Sequence, residues 1–397
     1  MSRINQFWYL PMDVVHHGPG AVAMLPQELG RLGLTRAMVV SSPTVGASPA
    51  LGGRVRELLG QHFVGMYAGV QPHVPYSCLQ GGLDLVKELQ PDVLITVGAG
   101  SVVDAGRALA LAAGEGLSNA DDLQRFRALY TPPDSTVLPA TSGRSLPIIA
   151  VPTTLSAAEF ANAGAVTSES RGTKDLLIAD ELTPRAVLLD PELAVTTPAH
   201  LWVSTGMRAL DHAVETVYSP RGGAVTDALS LEAVRLLAVS LRATVQNPTD
   251  LGAREDGQLA AWMSYFGEMN LTLGLSHAIG HQIGARHGVQ HGWTSCVVLP
   301  SVLRWLAPAT APQQARIAGA LGVDTNLLND EDAAAAAASA VEQLVLDLGL
   351  PSSLLGIGVT PQDFEGLAAA VMQDLVVAGS PRPVTAADVI EILAASG

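Results

Sequence analysis

The chain has 397 residues, 48% of them hydrophobic and 15% charged, which excludes a disordered chain and is enough for two cores of roughly 150 to 200 residues each. Its 39 Gly and 25 Pro are scattered without period, which excludes a collagen-like chain, and no run approaches the ~20 apolar residues of a membrane span. A formal charge of −15 argues against a nucleic-acid groove or an anionic membrane as partner, and two cysteines, Cys78 and Cys296, cannot frame a disulfide fold.

From the N-terminus, MSRINQFWYL has no basic segment followed by an apolar one, so a cytoplasmic location is expected. Short apolar, β-branched runs follow at 36–42 (RAMVVSS), 92–98 (DVLITVG), 147–154 (PIIAVPTT) and 185–191 (RAVLLDP). Each has the length of a buried strand and closes on Gly, Pro, Ser, Thr or Asp. Helical patterns lie between the first two, Leu79–Leu89 among them, so residues 1–194 read as an α/β domain around a mostly parallel sheet. Residues 114–146, with TPPDSTVLPATSGRS, read as a surface excursion. From Thr197 the strand signals fade, and helical periods run over Ala224–Val245, Gln258–Leu273, Ala333–Leu348 and Pro361–Leu375. Pro198 and Thr205 stand where helices are expected to start, and Gly349 with Pro351 where one stops. Residues 195–397 therefore read as an all-α domain.

In VLITVGAGSVVDAG a strand runs into Gly98, Ala99, Gly100 and Ser101 and then into a helix. Glycines there let backbone amides approach a pyrophosphate at a helix N-terminus. The alternative is a capping box of Ser101 with Asp104, and Val103 stands where the dinucleotide fingerprint has its third glycine. Thr153 and Thr154 end another buried strand, where an open parallel sheet lines its ligand crevice; a turn cap is the alternative. Ser41 and Ser42 occupy the place of the acidic residue that would bind a ribose 2′-hydroxyl and repel a 2′-phosphate, so NADPH is admitted as well as NADH.

Four of the ten histidines fall between 277 and 291, in SHAIGHQIGARHGVQHG. His277 and His281 are four apart and share a helix face, and His291 follows a glycine-containing turn that can fold it back toward them. His212 lies in the helical segment TGMRALDHAVE. His287 reads as an ordinary hydrogen-bonded histidine.

The Gly98–Ser101 turn, the VPTT segment Val151–Thr154, TGMRALDHAVE, and SHAIGHQ followed by QHG together resemble the iron-containing alcohol dehydrogenase superfamily over nearly the whole chain. The resemblance implies an N-terminal nicotinamide-dinucleotide domain, an all-helical C-terminal domain, a cleft between them, and a homodimer. It places Lys174 at the nucleotide ribose, with an ordinary surface lysine as the alternative. Metal-dependent members bind a divalent cation through three histidines, which fall here on His212, His277 and His291, and an aspartate four residues before the first. That position is Arg208. His281 falls on a family histidine near the substrate that is not a ligand.

An arginine one helical turn from His212 aims a permanent cation where the metal would sit, so a metal-free site is expected. Asp211, next to His212, points about 100° away on a helix and does not substitute. A surface salt bridge to Asp211 or Glu215 is the alternative for Arg208. A guanidinium beside imidazoles suits a carboxylate, which it pairs bidentately. The resemblance then runs to the maleylacetate reductase branch, which lacks the aspartate and works without metal in aromatic-compound catabolism, although that branch usually carries an amide at the Arg208 position. The expected activity is an NADH- or NADPH-dependent reduction of an oxo acid or enone. His281 or His277 gives the proton, His212 and His291 hold the substrate, and Arg208 binds a carboxylate. A metal-dependent alcohol dehydrogenase using His212, His277 and His291, and a non-catalytic binding protein of the same fold, are the alternatives.

Overall fold

The computed structural model describes residues 6–131 and 135–397. The chain forms two units, one of Tyr9–Thr197 and one of Pro198–Gly397 with the N-terminal segment that ends at Trp8.

The first unit carries a six-stranded sheet with every pairing parallel, built from β1 (Val14–His17), β2 (Ala37–Ser41), β3 (Phe63–Tyr67), β4 (Val93–Gly98), β7 (Ile148–Pro152) and β10 (Ala186–Leu189) in the order β1-β10-β7-β4-β2-β3. The hairpins β5 (Leu129–Thr131) with β6 (Ser135–Val137), and β8 (Ala163–Ser168) with β9 (Thr173–Ile178), stand outside it. Each residue of β2, β4, β7 and β10 is buried, because helices cover both faces. Met38, Val40 and Leu94 turn to one face, against Leu79, Leu83 and Leu109 from helices Tyr76–Leu89 and Gly100–Gly114. Val39, Ile95 and Ile149 turn to the other, against Leu25, Leu29 and Val55.

The four apolar runs all form sheet strands, and the edge strands β1 and β3 escaped the reading. Both are only partly buried, and β1 holds His16 and His17, so neither presents a continuous apolar run. The 114–146 stretch holds a 3-10 turn at Ala120–Phe126 and the β5/β6 hairpin; residues 132–134 of TPPDSTVLPATSGRS lie outside the described residues.

The capping box of Ser101 with Asp104 does not form. The helix already starts at Gly100, its N-cap is Ala99 with no side-chain bond, and Asp104 faces Arg107 at 3.5 Å. At the turn itself Gly98 has φ +152°, and a Cβ there would stand 2.7 Å from Val102 Cγ2. Gly98→Ala is expected to cost about 1–3 kcal/mol, read as a lower urea midpoint with an unchanged slope.

In the second unit the helices are Ala199–Tyr218, Ala224–Gln246, Leu251–Asn270, Leu275–His287, His291–Ala320, Asp330–Asp347, Phe364–Val371 and Ala386–Ala395. Thr205 starts no helix. It lies inside the first, where its hydroxyl donates back to the carbonyls of Leu201 and Trp202. The Gln258–Leu273 pattern begins earlier, at Leu251, because Asp250 caps the amide of Ala253 at 3.0 Å. The Pro361–Leu375 pattern narrows to Phe364–Val371, with a 3-10 turn on either side. Among the described residues no helix is long and apolar enough to cross a membrane.

Candidate active site

In the first unit the carboxyl ends of β2, β4 and β7 gather the expected nucleotide residues. Ser41 is buried and its hydroxyl donates to the carbonyl of Val97 at 2.8 Å, while Ser42 caps the short helix Pro43–Ala47. The amide of Thr153 donates to the carbonyl of Gly98 at 3.0 Å and ties the two strand ends together. Thr154 is buried beside it, and among the described residues its hydroxyl has no hydrogen bond. Gly98, Ala99, Gly100 and Ser101 form the turn, whose helix leaves its first amides without a side-chain cap, an anion-binding end. One turn in, Asp104 is pushed up to about 6 by burial, which the charges of Arg107 and Lys174 partly offset. Lys174 lies on β9, within electrostatic reach of that carboxyl.

In the helical unit, Arg208, Asp211, His212 and Glu215 project from one helix at spacings of three and four, which places them along one face. His277 and His281 come from consecutive turns of Leu275–His287, and His291 opens the helix that follows. The rings form a row. His212 stacks on His277 at 4.8 Å between centroids, His277 meets His281 at 6.2 Å, and His281 meets His291 at 6.1 Å. His287 lies outside this row, 4.0 Å from Asp363.

Arg208 is only 13% exposed, so it is not a surface ion pair. Its Nη2 lies 3.5 Å from His281 Nε2 and its Nη1 lies 4.0 Å from Asp211 Oδ2. Nη1 makes no hydrogen bond among the described residues. Asp211 is held by the hydroxyls of Ser276 and Ser295 at 2.9 and 2.7 Å. Glu215 accepts from the amides of Gly274 and Ser276 and from the Tyr218 hydroxyl, and lies 2.8 Å from His277 Nδ1. Glu268 is 3.4 Å from His212 Nε2, and Asp374 is 3.1 Å from His281 Nδ1.

Burial sets the charges. His212 and His277 are held well below the ordinary histidine value by burial and then by neighbouring cationic groups, Arg208 among them, so both are neutral. Asp211 and Glu215 are pushed above the ordinary carboxylate range by burial, and Glu268 reaches about 7 for the same reason. Burial also lowers Arg208, yet a guanidinium keeps its proton in any protein site. Of the acids that act on it, Asp211, Glu215 and Glu268 are thus biased toward their neutral forms, while Asp374 is lowered.

Among the described residues, the one trio of His, Cys, Asp or Glu whose ligand atoms all lie within 4.8 Å of one another is Asp211, Glu215 and His277. Neither His212 nor His291 belongs to it. Both oxygens of Glu215 and Oδ2 of Asp211 are already engaged by hydroxyls and backbone amides, while Asp211 Oδ1 has no hydrogen bond among the described residues. The structure thus brings Arg208, His212, His277, His281 and His291 into one row but does not bring the three family ligand histidines into one tight ligand set. Sequence reading set Asp211 aside because it points away from His212; it is instead three residues from Arg208 and buried against it. Its signal was present in TGMRALDHAVE. Glu268 and Asp374 had none, since they reach the site from distant helices and turns.

The residues 13–191 match the family described as iron-containing alcohol dehydrogenase, and residues 202–397 match the C-terminal part of the Fe-containing alcohol dehydrogenase family. The chain belongs to that family and is one of its oxidoreductases. It is 30% identical over 378 residues to lactaldehyde reductase of Escherichia coli (strain K12), covering 94% of this chain and 95% of that one. It is 29% identical over 348 residues to maleylacetate reductase of Burkholderia cepacia, covering 88% and 86%. The crystal structure of a 1,3-propanediol oxidoreductase superposes with a TM-score of 0.90 at 28% identity over 99% of this chain and 100% of that one.

Proposed function

We propose that this chain is a metal-independent, NADH- or NADPH-dependent reductase of an oxo acid or enone that carries a carboxylate, with maleylacetate as the type of substrate. The observation that carries the reading is the buried Arg208 guanidinium, with Nη1 free of hydrogen bonds among the described residues, in a row of four imidazoles. Burying a cation with unused donors is costly unless an anion completes it. A substrate carboxylate pairs with it bidentately. A divalent cation at the same place would face a charge that cannot be removed, so no step is assigned to one.

A bound reduced nicotinamide would supply hydride to the carbonyl carbon of an oxo acid or the β-carbon of an enone and would itself be oxidised. The alkoxide or enolate formed on the substrate would take one proton from this chain. His281 is the better donor of the two histidines considered, because its side chain is 34% exposed whereas His277 is fully buried, neutral and pressed against Glu215. His212 and His291 flank the row and hold polar groups of the substrate. Arg208 stabilises the developing negative charge. The nucleotide is assigned to the Gly98–Ser101 turn with Ser41, Ser42, Asp104, Thr153, Thr154 and Lys174.

The test is elemental analysis of purified protein together with NADH and NADPH oxidation over a panel of oxo acids, enones and uncharged aldehydes. The expected result is substoichiometric iron and zinc, turnover of carboxylate substrates, and no loss of rate after dialysis against a chelator. Stoichiometric metal with rate lost to chelator would give the site to a metal-dependent alcohol dehydrogenase. Failure to bind either nucleotide would leave a non-catalytic member of the fold.

A further inference from the structure

We infer that Asp374 is the positioning residue that makes His281 a proton donor. The inference rests on the assignment of His281 above and adds the group that orients it. Asp374 heads the 3-10 turn Leu375–Gly379, where its Oδ1 accepts the amide of Val376 at 3.1 Å. Its Oδ2 accepts from Gln282 Nε2 at 3.0 Å and lies 3.1 Å from His281 Nδ1. Three contacts therefore fix both oxygens, and the side chain is only 11% exposed. Burial alone would raise this carboxyl, but the bonds from His281, Val376 and Gln282 bring it below the ordinary carboxylate value. It is an anion at neutral pH.

An anion at Nδ1 requires a hydrogen there, since a carboxylate can only accept. The neutral ring is thereby fixed with its proton on Nδ1 and its lone pair on Nε2, the nitrogen that faces Arg208 Nη2 at 3.5 Å. With Nδ1–H held by the carboxylate, the position left for a transferable proton is Nε2. In the reaction the Nε2–H bond breaks, the proton goes to the substrate oxygen or carbon that has become basic, and the ring returns to its Nδ1–H form. Its partly exposed edge is recharged from solvent. Without Asp374 the neutral ring is free to carry its proton on Nε2, with its lone pair turned toward the interior.

Asp374→Asn keeps the size of the side chain and an oxygen for the amide of Val376. It is expected to lower kcat about 10²-fold or more, in the range of general-acid catalysis, with KM for the oxo acid changed less than about threefold. Asp374→Glu is expected to recover part of that loss. The double variant Asp374→Asn/His281→Asn is expected to be no slower than His281→Asn alone, because the carboxylate acts through the ring. The inference is overturned if Asp374→Asn keeps its kcat while His281→Asn loses it, or if the two losses multiply. Should His281→Asn itself keep full rate, the assignment of His281 as donor fails instead. Nitrogen-15 NMR of the histidines in the unmodified protein covers the case of a variant that does not fold. A neutral His281 resonance with the proton on Nδ1 supports the inference, and one with the proton on Nε2 ends it.

Discussion

Arg208→Gln is expected to cut kcat/KM on a dicarboxylic oxo acid about 10²- to 10³-fold, the usual consequence of removing a buried donor aimed at developing charge. An uncharged aldehyde should suffer a smaller loss, because it loses only the stabilisation of developing charge and not a carboxylate partner as well. The reason lies in the surroundings of the guanidinium. Asp211 is close at 4.0 Å, but the oxygen that faces Arg208, Oδ2, already accepts two serine hydroxyls, and burial pushes the carboxyl toward its neutral form. Burial pushes Glu268 up as well, to about 7. Asp374, the acid near Arg208 that stays an anion, is engaged by His281, Gln282 and Val376, so the Nη1 donor of Arg208 is left for a ligand. Arg208→Asp goes further: it should abolish turnover of carboxylates and create affinity for zinc, measured by calorimetric titration. Full activity of Arg208→Asp on oxo acids would remove Arg208 as the anion anchor.

The second large effect is expected at Gly292, the residue after His291. A Cβ there would stand 2.0 Å from the carbonyl oxygen of Ser204 and 2.5 Å from its carbon, so two helices touch through backbone at this point. Backbone cannot rotate aside as a side chain can, and Gly292→Ala must drive the His291–Ala320 helix away from Ala199–Tyr218. That helix also carries Ser295, whose hydroxyl holds Asp211. A loss of about 3 kcal/mol is expected, read by urea unfolding, together with a fall in turnover as His291 and Ser295 shift. Gly252→Ala is the control: its Cβ would meet only Asp250 Oδ1 at 3.4 Å, and alanine favours a helix over glycine by up to about 1 kcal/mol. Equal midpoints for the two variants would contradict the packing described.

The central strands were legible because β-branched runs of four to six residues, bounded by turn formers, have few other uses in a parallel sheet. The edges were not, because β1 and β3 keep one side wet and so break the run. Helix periods were legible where their apolar face is continuous, as in Ala224–Gln246, and misplaced where a cap rather than a face sets the start, as with Asp250. In the site, the one-turn spacing of Arg208 and His212 and the His277/His281 pair could be read directly, since local helix geometry fixes them. Asp374 lies 93 residues after His281, and Glu268 56 residues after His212. Only tertiary packing brings such residues together, and no local pattern encodes it. Asp211 shows the intermediate case: its neighbours were in view, but whether it turned toward Arg208 depended on Ser276 and Ser295 on other helices.

Because Arg208 and Asp211 occupy one turn of one helix, the polarity of the whole chamber hangs on a single codon. Exchanging the base for an acid would set a fourth carboxyl among Asp211, Glu215 and Glu268, each within electrostatic reach of position 208, a group that either holds extra protons or draws in a mobile counterion. Exchanging it back expels that counterion and invites its opposite. Two descendants of one scaffold that differ at this place would therefore be blocked by different poisons, chelators in one lineage and small dicarboxylates in the other.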